Sequence, residues 1–540
     1  MLSKGWSLAD IWEQIAERFP DLSAQSQDER RYTWAEFDHR ADGVARTLLD
    51  AGLRHQDKVA QYLYNCPEYL ESVFASFKVS LVPVNTNYRY KDDEIAYIWE
   101  DADVAAVVFH DEFTEVCERL RHRIPAIRCW IWVGPVHATA PEWAVPYESA
   151  AAASQDHVVG PAGRSGEDLF LIYTGGTTGL PKGVMWTQEG TFRYLEGLAG
   201  RHHPEEGDPV DYAAAITRSG PRVVPAPPLM HGAGAWTSMS ALCRAGSVVT
   251  LSPRRYDPGD LAEVMSRERI NGVALVGDPF ARPLADVLDA NPGRWEFSSM
   301  RVAISTGAMF TAETKRRLLK HIPQMRIVDA LGASETGAIA DSASDAAGAA
   351  GTASFSLRKG ARVIDDHGKD VPPGSGRVGK LAVSGYVPIG YYKDPVKSAQ
   401  TFITLDGKPH VFTGDWVAMQ EDGSIKLLGR GSACINTGGE KVFAEEVEEV
   451  LKLHPGVADA VVVGVPDLRL GETVAAVVEP RGGTAPSDDE LSAFMRRSLA
   501  GYKCPRHFIM VNSVGRSPSG KIDHQVLKGL AAGRVSRLTA

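Results

Sequence analysis

Between residues 58 and 109, short apolar runs alternate with longer mixed stretches. Lys58-Val59-Ala60-Gln61-Tyr62-Leu63, Leu81-Val82-Pro83-Val84-Asn85 and Val104-Ala105-Ala106-Val107-Val108-Phe109 read as strands, and residues 68–78 and 94–101 as the helices between them. That alternation predicts parallel sheets with helices on both faces. Ahead of it, residues 7–56 read as helices. Tyr32-Thr33-Trp34 opens one, Val44, Leu48 and Leu49 continue it, and Gly52 stops it. Further on, Asp168-Leu169-Phe170-Leu171-Ile172-Tyr173 is a short buried strand and Gly183-Val184-Met185-Trp186 is extended. Arg301-Val302-Ala303-Ile304-Ser305-Thr306 is a strand that runs into a Gly turn, with Thr311 placed to cap the next helix. Residues 338–356, rich in Ala, Ser and Gly, read as a flexible loop. Closely spaced turn and strand signals from 362 to 428 suggest a small β-barrel. The last ~110 residues, enough for an independent core, predict helices at 444–453 and 488–499 and strands at 459–465 and 473–478. The fold class is therefore α/β: a large N-terminal domain, 1–428, of two αβ subdomains with parallel sheets plus the small barrel. A small α+β C-terminal domain follows, 429–540.

Composition narrows the function. With 540 residues the chain holds more than one domain. A net charge of −10 argues against a nucleic-acid surface. Cys66, Cys117, Cys129, Cys243, Cys434 and Cys504 are scattered, without C-x-x-C, as reduced thiols of a cytoplasmic protein would be. There is no signal peptide at the start, no apolar run long enough for a transmembrane segment, and no peroxisomal tail.

The chemistry gathers at Tyr173-Thr174-Gly175-Gly176-Thr177-Thr178-Gly179-Leu180-Pro181-Lys182-Gly183. Glycines let backbone amides turn inward on an anion, threonine hydroxyls add donors, and Lys182 adds a mobile cation. This is the chemistry of a polyphosphate grip, though not a Walker A loop, because G-x-x-x-x-G-K-[ST] fails here. A Gly/Thr-rich surface turn is the bland alternative. His202-His203 beside Glu205-Glu206 lacks further ligands at regular spacing and reads as a solvated loop.

The glycine stretch resembles the phosphate loop of the adenylate-forming superfamily of acyl-CoA synthetases, peptide-synthetase adenylation domains and luciferases. The likeness runs along nearly the whole chain. It implies ATP, Mg2+ and coenzyme A as cofactors, with Thr174, Gly175, Gly176, Thr177, Thr178, Gly179 and Lys182 on the phosphates. Asn65-x-Pro67-Glu68 and Val84-Asn85 match landmarks that are read as structural. His231, in Met230-His231-Gly232, matches a histidine that positions the carboxylate. Gly307, Ala308 and the run Ala330-Leu331-Gly332-Ala333-Ser334 match the nucleotide site, with Leu331 where the family commonly stacks an aromatic on adenine. Glu335 would carry the metal, with Thr178 beside it, since a hard cation wants oxygen ligands. Asp415 in Phe412-Thr413-Gly414-Asp415 would take both ribose hydroxyls, and Arg430 would take the ribose or α-phosphate. The family's pivot, commonly Asp or Lys, is here Ser432. On the mobile C-terminal domain, Gly438-Gly439-Glu440 would face coenzyme A, and Lys521, after Ser517-Pro518-Ser519-Gly520, matches the catalytic lysine.

Together these imply an AMP-forming acid–CoA ligase, catalytic through Lys521, His231 and Glu335. Within the superfamily the chain is most similar to actinobacterial fatty-acid and steroid-side-chain CoA ligases. The alternative is a stand-alone adenylating enzyme that serves a separate carrier protein. A luciferase-like oxygenase would share the first half-reaction, and a non-catalytic adenylate binder would not need Lys182, Glu335, Asp415 and Lys521 together. The partners implied are a carboxylic acid and CoA, with a homodimer left open. Small residues after His231, among them Gly232 and Gly234, would line an acyl tunnel walled by Trp236, Phe280, Met309 and Phe310. That predicts a medium-to-long or bulky polycyclic acid. The competing reading is that these small residues allow close helix–sheet packing.

Overall fold

In the computed structural model, residues 5–539 are described apart from 136, 177–178, 202, 204–206, 366, 431–433, 438–439, 468–469, 483–484, 518–519 and 521. The strands Lys58–Tyr62, Val82–Asn85, Val104–His110, Cys129–Val133 and Val145–Pro146 pair in parallel, and Leu169–Gly176 joins them beside Val82–Asn85. All seven residues of Val104–His110 are buried, as expected of a strand covered on both faces. Gly179–Thr187 folds back antiparallel on Leu169–Gly176, so the glycine stretch spans both strands of a hairpin.

A second, 14-stranded sheet has a parallel centre: Ser247–Val249, Arg222–Pro225, Gly272–Leu275, Val302–Thr306 and Arg326–Ala333. It continues antiparallel through Gly337–Ser344 and Ser354–Leu357 into Ile425–Arg430, Lys408–Met419, Val378–Val383 and Ala361–Ile364. These last strands enclose their own core around Phe355, Leu381, Val411 and Ile425. The segment expected as a small barrel is thus joined edge-on to the large sheet.

The structure corrects two expectations. Within residues 338–356, Gly337–Ser344 and Ser354–Leu357 contribute strands, so the stretch is not a flexible loop throughout. Their small side chains imitate a linker, but Ala338, Asp341 and Ala343 border a cavity, where bulk would fill the space. Residues 7–56 also hold a hairpin, Ser23–Gln27 with Arg30–Thr33, between the helices Leu8–Arg18 and Trp34–Asp50. Its polar sequence hid it: Gln25 is buried because its amide donates to Glu71 at 2.6 Å, and Gln27 donates to the Asn65 carbonyl at 2.9 Å. The second helix does begin as expected, with Thr33 and Glu36 closing a capping box.

The C-terminal part has its own five-stranded sheet: Cys434–Thr437, Glu440–Phe443, Val457–Asp467, Gly471–Pro480 and His507–Met510. The helices Ala444–Lys452 and Asp488–Met495 cover one apolar cluster and His524–Thr539 covers another. It forms a separate domain docked on the first. Arg282 Nη1 donates to the Ala458 carbonyl at 3.2 Å across the seam.

Candidate active site

Both domains border a cavity of about 1550 Å³ at the carboxyl ends of the parallel strands, the usual place for a site in an α/β fold. Thr174 and Pro181 reach it from the glycine hairpin. Two asparagines hold the frame. Asn85 receives the Tyr173 amide at 2.7 Å and donates to the Tyr173 and Met230 carbonyls at 2.9 and 2.8 Å. Asn65 donates to the Pro227 carbonyl at 3.2 Å and accepts from the Leu229 amide at 2.7 Å. Both therefore act structurally, anchoring the approach to His231. Gly183 is required where it stands, since a Cβ there would meet the Tyr173 ring at 2.7 Å.

His231 lies at the N-cap of the helix Gly232–Leu242 and lines the cavity, as do Gly232, Trp236 and Met309. Gly307, Ala308, Ala330, Leu331, Gly332, Ala333, Ser334, Glu335 and Asp415 also line it. Gly307 has φ +86, a turn conformation that glycine takes without strain. The turn at Glu335 is fixed by Trp186, whose Nε1 donates to the Ser334 carbonyl at 2.9 Å, and by Thr336, whose hydroxyl donates to the Gly337 carbonyl at 2.8 Å. In strand register, Asp415 is opposite Arg430.

Two expected acyl-pocket residues are elsewhere. Phe280 packs against Tyr256, ring centres 4.5 Å apart, within the neighbouring core, because its helix turns that face away from the cavity. Gly234 points at backbone: a Cβ there would lie 2.6 Å from the Pro228 oxygen. That geometry favours the packing reading at this position. His203 is not a solvated histidine either. Its Nε2 is 3.1 Å from a Glu196 oxygen and its ring stacks on Phe192.

The positions of Thr177, Thr178, Ser432, Gly438, Gly439 and Lys521 lie outside the described residues, as do the side chains of Arg430 and Glu440. Gly520 and Ile522, on either side of Lys521, do line the cavity. A Cβ on Gly520 would come within 2.9 Å of Val276 in the large domain. Arg516 pins this loop, donating to the Gly520 carbonyl at 3.0 Å and to Asp459 at 3.0 Å. Burial pushes the Asp459 carboxyl up, but Lys452 and Arg516 outweigh it and hold it down at about 2.

The sequence reading missed a link between two expected residues. Lys182 pairs with Asp394, and its Nζ lies 5.9 Å from the centre of the Tyr391 ring. The Tyr391 hydroxyl in turn donates to Glu335 Oε1 at 2.8 Å. Lys182 holds the Asp394 carboxyl below the usual carboxylate range. Lys182 and Glu335 are thus connected through one tyrosine. Only Asp394-Pro395, a helix N-cap with Pro next, hinted at an ordered element there.

Glu335 suits a hard cation. One oxygen is oriented by Tyr391, and Oε2 receives no protein hydrogen bond among the described residues.

These features agree with what comparison finds. A model described as AMP-binding enzyme matches residues 12–392, and one for the AMP-binding enzyme C-terminal domain matches 446–521. The chain belongs to the AMP-binding enzyme family. It is 37% identical over 544 residues, 98% of this chain and 97% of the relative, to a medium/long-chain-fatty-acid–CoA/3-oxocholest-4-en-26-oate–CoA ligase of Mycolicibacterium smegmatis. It is 35% identical over 538 residues, 97% of this chain and 95% of the relative, to a 3-oxocholest-4-en-26-oate–CoA ligase of Rhodococcus rhodochrous. Among solved structures, the anthranilate CoA ligase AuaEII in complex with anthranoyl-AMP superposes with a TM-score of 0.85. It covers 99% of both chains at 21% identity, a likeness of fold.

Proposed function

We propose that the protein is an AMP-forming acid–CoA ligase acting on medium- or long-chain fatty acids or steroid side-chain acids. The observation that carries this is one continuous cavity joining Glu335, Leu331 and Asp415 to an apolar space beneath the helix Gly232–Leu242. The CoA-ligase names of relatives that match end to end support CoA, not a carrier protein, as the acceptor.

In the first half-reaction an oxygen of the substrate carboxylate attacks the α-phosphorus of ATP, and pyrophosphate leaves with the bond electrons. No protein nucleophile is needed; positioning and charge neutralisation are. Thr174 to Lys182 grip the β- and γ-phosphates, His231 orients the carboxylate, Asp415 takes the ribose hydroxyls, and Arg430 the ribose or α-phosphate. Leu331 holds the base by apolar contact. Lys521 bridges carboxylate and α-phosphate. Glu335, with Thr178, would hold magnesium, which supplies charge neutralisation on the phosphates. In the second half-reaction the CoA thiolate attacks the acyl carbon and AMP leaves. The C-terminal domain, beginning at residue 429, turns about Ser432 between the two, withdrawing Lys521 and presenting Gly438-Gly439-Glu440. No helix among the described residues is long and apolar enough to cross a membrane. We further propose that the enzyme works in the cytoplasm and without nucleic acid, with a homodimer left open. Buried free thiols at five cysteines support the compartment.

The test separates the halves. Lys521→Ala should lower the overall reaction by roughly 10²–10³, while thioester formation from supplied acyl-AMP survives. Equal loss in both halves would refute the role of Lys521. Absence of AMP formation by the wild type with any acid would refute the function.

A further inference from the structure

The cavity extends well beyond the reacting groups. Its roof is one face of the helix Gly232–Leu242: Ala233, Trp236, Thr237 and Ser240 line it, and Arg244 continues the row just past the helix end. Three- and four-residue steps place these side chains on one side of the helix. From His231 at the N-cap to Cys243 at the C-cap this roof is about 18 Å long. The floor is one face of the parallel sheet. Thr306 and Ala330 stand side by side at its near edge, and Val302 and Arg326 at its far edge. The space therefore runs from the carboxyl ends of the strands to their starts.

At the far end sits Arg244. Its Nε donates to the Ser240 carbonyl at 2.9 Å and its Nη2 to the Ser240 hydroxyl at 3.3 Å. Both bonds fold the guanidinium back one turn over the lining face. Neither partner is a carboxylate, and Nη1 donates to no protein group among the described residues. Burial, with Arg201 adding to it, pushes the group's pKa down despite the opposing charge of Glu196. A partly desolvated guanidinium whose direct hydrogen-bond partners are neutral oxygens, with one nitrogen left unmatched, is costly. An acceptor brought by a ligand offsets that cost.

We propose that Arg244 is a specificity residue for the far end of the substrate. Its Nη1 receives a hydrogen-bond-accepting oxygen carried by the acid at the end remote from the reacting carboxylate. The inference rests on the acid–CoA ligase reading and names its preferred substrates: long acids that end in a ketone or a second carboxylate, not in a methyl group.

The experiment compares kcat/KM for CoA-dependent AMP formation across sets of long acids that differ only at the distal end: methyl, ketone or carboxylate. Hydrogen bonds to charged donors predict a wild-type preference for the oxygen-bearing acids of roughly ten- to a hundredfold. In Arg244→Met the ratio should fall toward one as the methyl-ended acid gains. A ketone preference identifies a carbonyl ligand, and a carboxylate preference a diacid; either supports the proposal. A wild-type ratio near one, or a ratio unchanged in Arg244→Met, overturns it while leaving the ligase reading intact. Failure of every acid with the wild type overturns the ligase reading itself. Should Arg244→Met not fold, wild-type affinities for non-hydrolysable acyl-adenylate analogues with and without the distal oxygen decide the question. Equal affinities would overturn the proposal.

Discussion

Tyr391→Phe removes one oxygen and keeps the ring, so it isolates the hydroxyl that joins the Lys182 side of the site to Glu335. That hydroxyl donates to Glu335 Oε1 at 2.8 Å, while the ring stays 5.9 Å from Lys182. A hydrogen bond to a charged group contributes ~1.5–3 kcal/mol, or about ten- to a hundredfold in an equilibrium constant at ~1.4 kcal/mol per factor of ten. If the bond orients the carboxylate for the cation, its loss should raise the half-saturating magnesium concentration for adenylation by about tenfold. The apparent KM for the acid should change little, since Tyr391 is not among the residues that line the cavity beneath the helix Gly232–Leu242. Pyrophosphate release at fixed ATP, titrated with magnesium, reads this directly. A fall in the magnesium requirement would refute the reasoning, because the hydroxyl would then compete with the cation for Glu335.

Other substitutions probe packing and charge. Gly234→Ala should lower stability by about 1–3 kcal/mol through overpacking and depress all acids alike, because its Cβ would lie 2.6 Å from the Pro228 oxygen. Selective loss of bulky acids without a change in melting temperature would place it on the tunnel after all. Lys78, fully buried, pairs with Glu13 at 2.8 Å, Asp38 at 2.7 Å and Asp42 at 2.8 Å. Lys78→Met strips Asp38 of its cation and leaves Glu13 and Asp42 with only Arg164 and His157 beside them, and should cost about 3–5 kcal/mol by urea denaturation; a neutral result would mean that the network carries no such charge. His157, beside the same cluster, is pushed up to about 9 by the neighbouring carboxylates of Asp42 and Glu13. A raised pKa stabilises the fold fully below the ordinary value near 6.5, and that contribution fades as pH rises through about 9. The melting-temperature gap between wild type and His157→Gln should therefore be widest near pH 6 and close by pH 10, small throughout because the ring is half exposed. A gap that widens with pH would contradict the assignment.

The parts of the fold legible in the sequence were those written in local pattern. Apolar strands such as Val104–His110 declare themselves, and so do the capping box at Thr33 and the glycine hairpin. The strands at 337–344 and 354–357 did not, because a cavity wall needs small residues and small residues resemble a linker. Polarity likewise concealed the hairpin Ser23–Gln27, whose buried amide nitrogens donate to residues far along the chain. Within the site, residue types and motif order pointed to Glu335, Asp415 and His231. The pairing of Lys182 with Asp394, 212 residues away, is a property of the folded sheet edge and has no local signature. The direction of a side chain was equally hidden. Gly232 and Gly234 are two residues apart on one helix, yet one borders the cavity and the other faces backbone.

The most direct test of the central claim is product stoichiometry. The purified protein should be incubated with ATP, magnesium, CoA and either a long-chain fatty acid or a 3-oxo steroid side-chain acid, and the products quantified by chromatography. The account predicts AMP, pyrophosphate and acyl-CoA in equal amounts, all dependent on the acid. ADP in place of AMP, or AMP accumulating with no thioester while CoA is saturating, would contradict it.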